Sequence, residues 1–236
     1  MCGIGRTLSD LVARKVGRTG AGPVSERRMT FRELQFLWYS DLYRYTGRTS
    51  LRLLFRQLLF CDGNVHTNDG FKYSFYLRLC KYLRTAQPRF VMYPLYVVAV
   101  RMLCRYRYKF GISLSHATSV GSGLYIGHTT GIVVNDFAVI GKNCNMSQGV
   151  TIGQTNRGKR KGTPSLGDNV YIGPGAKIIG GIRVGNNVAI GANCVVLEDV
   201  PDNAVVVGVP GRIVSYNGSQ DYVNKTDYDT AAKLRG

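Results

Sequence analysis

Between Val120 and Val196, aliphatic side chains return at every sixth position. They stand at Val120, Ile126 and Ile132. After a slip of two residues they stand at Val134, Ile140, Met146 and Ile152, and after a longer interruption at Leu166, Ile172, Ile178, Val184, Ile190 and Val196. A helix requires apolar spacing near 3.6 and a simple strand a spacing of two, so a period of six fits neither. A fixed short period marks a solenoid, with three flat faces per coil and the repeating side chain stacked inward on its equivalent in the next coil. Ala176, Ile182, Val188 and Cys194 lie two positions earlier and provide a second small or apolar inward position. Glycine follows the inward residue at 121, 127, 141, 153, 167, 173, 185 and 191, where the corner is expected to need positive φ. The pattern predicts a mainly β chain, a left-handed parallel β-helix of hexapeptide repeats.

Upstream the pattern becomes helical. Thr30-Phe31-Arg32-Glu33 reads as a capping box, opening a helix that runs to about Tyr45 and stops at Gly47. Thr49 or Ser50 caps a second, to about Phe60. Gly70 to Arg84 gives a third, with Phe71, Phe75, Leu79 and Leu83 on one face. Pro94 suits the first turn of a fourth, ending near Phe110 and Gly111. The expected organisation is a disordered leader at 1–28 (Met29 being a candidate natural start), a small α-helical domain at 29–110, the β-helix at 111–214 and a tail at 215–236. The polar part of that tail is expected to order only by docking on a neighbouring subunit.

Composition adds bounds. With 236 residues, 44% of them apolar, the chain is long enough for a real core. No run approaches the roughly 20 apolar residues of a membrane span, and no apolar signal core opens the chain. The six cysteines show no CxxC spacing, and Cys144 and Cys194 fall at the small inward position. Buried thiols in a reduced, cytoplasmic setting are expected. Charge is lopsided: the net is +14 over residues 1–110 and +3 over 111–236. The basic half is either a solvated helical surface or one drawn to a membrane or anionic glycan, including a peripheral position at the inner face of the membrane. No recognition motif accompanies the charge, so nucleic acid is not an expected partner.

Candidate chemistry falls at the breaks in the rhythm. Of three histidines, His66 lies in a polar inter-helix stretch and His116 in a capping coil. His128 follows Ile126-Gly127 at a corner beside the two-residue slip, directed outward, and suits a general base. The second break, Gln154 to Ser165, carries Arg157, Lys159, Arg160 and Lys161 between glycines and is expected to project as a loop. Its charges suit a cofactor phosphate, an acidic acceptor or water alone.

The stretches His128 to Val134, Gln148 to Gln154, Gly180 to Gly185 and Gly208 to Val214 resemble the hexapeptide acyltransferases. Within them the likeness is to the serine O-acetyltransferase branch and its relatives that acetylate capsular polysaccharides and exopolysaccharides. It covers roughly residues 110–215. The resemblance implies acetyl-CoA as donor, no metal, and a homotrimer whose trimers stay single or pair. It implies His128 as catalytic base, acting directly without a covalent enzyme intermediate. It places pantetheine between neighbouring solenoids, against Gln154, Gly173, Pro174, Gly191 and Ala192. Lys177 and Arg212 are assigned to the phosphates, with exposed solubilising charge as the alternative.

The acceptor-binding positions Gly127, Gly162 and Thr163 depart from the serine enzymes. Those carry Asp directly before the base and an Arg-His pair where Gly162-Thr163 stands. They also carry an Asp supporting the base where Ser113 stands, and an Asp-Pro pair in the helical domain that has no counterpart here. Serine's ammonium and carboxylate need opposite-charge partners. The expected reaction is therefore acetyl transfer to a sugar hydroxyl in polysaccharide biosynthesis. L-Serine O-acetylation in cysteine biosynthesis is the alternative, and a non-catalytic hexapeptide scaffold is the alternative of another class. A hexapeptide carbonic anhydrase would need about three His ligands for zinc.

Overall fold

A computed structural model describes residues 28–59 and 67–233. The expectations for the leader, His66, Cys2 and Cys61 lie outside the described residues. Helix α1 (Phe31–Thr46) opens on the capping box: Glu33 N–H donates to Thr30 Oγ1 at 3.2 Å and Thr30 N–H to Glu33 Oε2 at 2.7 Å. It stops at Gly47, in the left-handed region. Helix α2 (Leu51–Leu59) is capped by Ser50, whose Oγ accepts from Leu53 N–H at 3.1 Å. Helix α3 (Thr67–Thr85) packs against α4 (Arg89–Phe110), which ends at Gly111 with φ 64°. Pro94 is not in the first turn of α4 as expected. Pro88 takes the N-cap and Pro94 lies inside the helix, where its ring removes one i→i−4 hydrogen bond.

From Ile112 the chain winds through three parallel sheets. The first face holds β1 (Ile112–Ser113), β4 (Ile132–Val134), β7 (Thr151–Gly153), β10 (Lys177–Ile179) and β13 (Val195–Val196). The second holds β2 (Ser119–Val120), β5 (Val139–Ile140), β8 (Ser165–Leu166) and β11 (Arg183–Val184). The third holds β3 (Tyr125–Ile126), β6 (Asn145–Met146), β9 (Tyr171–Ile172), β12 (Ala189–Ile190) and β14 (Val205–Val207). The last strand, β15 (Arg212–Ser215), runs antiparallel beside β14, with a register shift at Val205/Val206. The fold is the expected left-handed parallel β-helix preceded by helices. Both expected inward positions are buried: Ile126, Ile152, Ile172, Ile178 and Ile190 at one, Ala176, Ile182, Val188 and Cys194 at the other.

The corner glycines serve a different purpose from the one expected. Those directly after the inward residue do not adopt positive φ. At all of them but Gly127 the coil below leaves too little room for a side chain. A Cβ on Gly121 would lie 2.6 Å from Gly141 C, and one on Gly141 only 2.3 Å from Gly167 O. The left-handed conformation falls two residues later, at Gly123, Asn143, Asn169, Asn187 and Asn203 on one edge. Asn tolerates it because its side chain bonds locally. These asparagines form a ladder, Asn143 donating to Asn169 (2.8 Å), Asn169 to Asn187 (2.9 Å) and Asn187 to Asn203 (3.1 Å).

Helices α3 and α4 share one core with the solenoid, and Leu42, Leu54 and Phe71 form a second cluster among α1, α2 and α3. Tyr73, Leu77, Cys80, Leu103 and Phe110 join the same buried cluster as Ile112, Leu124 and Ile126. A buried ion pair pins the junction. Arg78 Nε and Nη2 reach Asp41 at 3.1 and 3.2 Å and donate further to Val120 O (2.7 Å, Nη1) and Gly121 O (2.6 Å, Nη2). Asp41 accepts in turn from Leu124 N–H at 2.8 Å.

The tail does not wait for a neighbour. It folds back on its own chain, because it carries residues that complete the third face. Tyr222 stacks on Tyr171, Ser219 donates to Asn169 O, and Tyr228, in the short α5 (Tyr228–Lys233), is buried with its hydroxyl on Ser122 and Asn143.

Candidate active site

Corners that lead from the third face to the first hold four residues: 147–150, 173–176 and 191–194. The equivalent stretch of the first such corner, before Val133, the partner of Thr151, holds six, 127–132. Register fixes which are surplus. Ile126 pairs with Met146 before the corner, and Val134 with Ile152 after it. Gly149 N–H donates to Thr130 O just as Gly175 N–H donates to Gln148 O and Asn193 N–H to Pro174 O. Thr130 is therefore the equivalent of Gln148, and the extra pair is His128-Thr129. It stands out from the edge, with His128 exposed. The slip expected beside His128 is thus a bulge that contains it. Thr130 closes the bulge at φ 94°, a region a β-branched residue rarely enters and one that costs about 1–3 kcal/mol.

The end of α4 sits over this bulge. A Cβ on Gly111 would lie 3.2 Å from Gly131 N and from Thr130 Cα. The C-terminal, negative end of the helix dipole thus lies against the corner that carries His128. Arg107, in the last turn, donates to Ser113 Oγ at 2.8 Å. One coil beneath Thr130, the Gln148 Oε1 is buried without a hydrogen-bond partner, at a cost of about 1–3 kcal/mol. Arg107, Thr130 and Gln148 were not singled out from sequence. Thr130 and Gln148 both fell within stretches that carry the family likeness, and Arg107 left no signal.

The predicted residues separate into two edges. Gly127, Gly173, Pro174, Gly191 and Ala192 line the same edge as His128. Ala192 lies three coils below, about 14 Å at roughly 4.8 Å per coil. Gly173 cannot carry a side chain, since its Cβ would meet Ile190 O at 2.8 Å. Gln154, Gly162 and Thr163 lie on the other edge of the first face, so one chain does not bring them to His128. Gln154 Oε1 accepts from Asn135 at 3.1 Å, and Thr163 donates to Phe137 O at 3.2 Å. Lys177 lies on the face between, its amine on Gly149 O (2.5 Å) and Thr151 Oγ1 (3.2 Å). Arg212 borders a cleft of about 380 Å³ at the last coil together with Glu198 and Asp199, two carboxylates that oppose phosphate binding.

The basic loop does not simply project. Thr155 and Gly162 exchange backbone hydrogen bonds at 3.0 Å, and Gly181 N–H donates to Arg160 O at 2.8 Å. Arg160 pairs with Asp199 at 3.1 Å. The Arg183 backbone N–H, and then Arg160, hold the Asp199 carboxyl below its usual range. His116 bonds the Tyr96 hydroxyl at 3.1 Å, a structural contact under α4. Among the described residues, no three His, Cys, Asp or Glu side chains are grouped to hold a metal ion.

Comparison with known proteins identifies relatives of the chain and of its fold. The family pattern "Bacterial transferase hexapeptide (six repeats)" matches residues 163–198. Serine acetyltransferase of Synechococcus elongatus is 43% identical over 108 residues, 46% of this chain and 44% of that protein. The chain spans about half the length of the curated relatives it matches. The crystal structure of Neisseria gonorrhoeae serine acetyltransferase in complex with serine superposes with a TM-score of 0.60 at 30% identity, over 78% of this chain and 70% of that one. A serine acetyltransferase complex with CoA superposes with a TM-score of 0.56 at 31% identity, over 77% and 68%.

Proposed function

Since the chain belongs to the serine acetyltransferase branch of the hexapeptide-repeat acyltransferases, we propose that it transfers an acetyl group from acetyl-CoA to a hydroxyl, with His128 as general base. The observation that carries this is the surplus pair His128-Thr129, which lifts an imidazole out of an otherwise regular edge. His128 takes the proton of the acceptor hydroxyl as its oxygen attacks the thioester carbonyl. The new C–O bond forms, the C–S bond breaks, and the proton passes from the imidazolium to the departing thiolate. Base catalysis of this kind contributes about 10²–10⁴-fold, and alignment of the two substrates much of the rest.

The edge below His128 suits an extended thioester arm. Gly173, Pro174, Gly191 and Ala192 set no long side chain in the way of such an arm. Lys177 is the better placed of the two phosphate candidates. Gln154 and the 162–163 pair lie a face away, and a second copy of the chain packed against the first face would bring them opposite His128. This supports a homotrimer with its sites between subunits, in a reduced, cytoplasmic setting consistent with the free thiols.

The relatives favour L-serine as acceptor. They lend no support to a sugar acceptor or to polysaccharide biosynthesis. A neutral hydroxyl acceptor stands as a second reading on a specific observation: no carboxylate or cation stands at Gly127, Gly162 or Thr163, and Gly162 at φ 137° could not carry an Arg without reshaping the loop. A screen with labelled acetyl-CoA against serine, sugar nucleotides and oligosaccharides decides between them. Turnover of serine at millimolar KM or better establishes the first reading. Transfer only to sugars establishes the second. Transfer to none, with acetyl-CoA left intact, overturns both.

A further inference from the structure

Helix α2 presents an apolar face that the rest of the described chain leaves open. Leu51, Phe55 and Leu59, spaced one turn apart, are 59%, 52% and 73% exposed. Leu54 and Gln57 face inward. Burying leucines on one side while exposing leucine and phenylalanine on the other is not what a solvated surface helix does. Exposed Arg48, Arg52 and Arg56 flank the stripe. Between Asp41 and Asp62 the sequence has no acidic residue. An apolar cleft of about 300 Å³ continues the patch, lined by Phe36, Tyr39, Leu51 and Tyr228.

We propose that α2 is an interfacial helix by which the protein docks on an anionic phospholipid bilayer. Leucine and phenylalanine side chains would enter the headgroup–acyl boundary, and the arginines would pair with lipid phosphates, their stems lying along the apolar surface. Charge selects this occupant over a second copy of the chain. A twofold contact on this face would set Arg52 against itself, with no carboxylate between Asp41 and Asp62 to compensate. A bilayer of anionic lipid supplies the opposite charge at high density. This inference is independent of the acetyl-transfer reading, since α2 contributes nothing to the His128 edge.

Co-sedimentation of the full chain with vesicles tests it. Binding is expected to 1:1 phosphatidylcholine/phosphatidylglycerol and not to phosphatidylcholine alone, and to weaken as salt is raised. The double variant Arg48→Gln/Arg52→Gln should weaken binding about thirty-fold. The triple variant Leu51→Ser/Phe55→Ser/Leu59→Ser should weaken it about tenfold or more. These residues are exposed, so melting temperature and acetyl-CoA turnover should be unchanged. Undiminished binding by the triple variant would trace vesicle binding to net charge alone and overturn the proposal. So would absence of binding by the parent chain, or a lipid-free association of copies that the same variants abolish.

Discussion

His128 owes its position to two residues of surplus chain, and its neighbours to where that surplus falls. The pair 128–129 is extruded because Thr130 and Gly131 must rejoin the corner in register with Gln148 and Gly149. Replacing His128 by Ala should lower turnover about 10²–10⁴-fold and leave acetyl-CoA affinity unchanged, as read by steady-state kinetics and calorimetry. Unchanged turnover would instead favour a scaffold. The thiols give a second test at this scale. Burial pushes Cys80 and Cys144 up to about 12 and raises Cys194 as well, so these three stay protonated through neutral pH. Iodoacetamide at pH 8 should label Cys104, which is exposed, and spare Cys80, Cys144 and Cys194 until the chain is denatured. Labelling of Cys80 and Cys144 in the folded protein should rise only as pH approaches 12.

Among the elements, the coils were legible because burial of one side chain per face imposes the period directly. The capping box and the stops at Gly47 and Gly111 were legible because local backbone chemistry sets them. The purpose of the corner glycines was not, since the period marks them as small without saying whether conformation or space demands it. Space decides, and a methyl group suffices to test it. Gly141→Ala, with its Cβ 2.3 Å from Gly167 O, should destabilise by about 1–3 kcal/mol or more in urea titrations. At Gly158, which has nothing within 4 Å of an added Cβ, Ala should cost less, although its φ of 83° adds strain. Pro94 was misplaced because a proline favours a first turn without requiring one, and Pro88 already held that end. The division of the site between two edges also escaped the sequence, because spacing gives the order of faces along the chain but not the packing of copies.

At the scale of the molecule, helices, solenoid and tail form one body through a few buried polar anchors. Arg78 bonds a carboxylate of α1 and two carbonyls of the first coil at once. Asp41→Ala would leave that guanidinium buried and uncompensated, at a cost of about 3–5 kcal/mol. Thermal melts should show one lowered transition, because α3 and α4 share the solenoid's core and Asp41 ties α1 to both α3 and the first coil. The docking of the tail was illegible for a related reason. A polar segment looks free in sequence, and only the third face supplies Asn143 and Tyr171 for Tyr228 and Tyr222 to meet.

The reversed strand β15 has a consequence for solubility. A stack of parallel strands has an open rung at each end, and an open rung is a template for another molecule's strand. Here the lower rung is occupied by a strand running the wrong way to propagate the coil. The upper rung is occupied by Arg78 and Tyr73, which take the carbonyls of Val120, Gly121 and Leu114. The solenoid is thus insulated against end-to-end polymerisation at both termini. A chain cut after Gly208 should lose that insulation and form thioflavin-binding filaments under conditions in which the full chain stays dispersed.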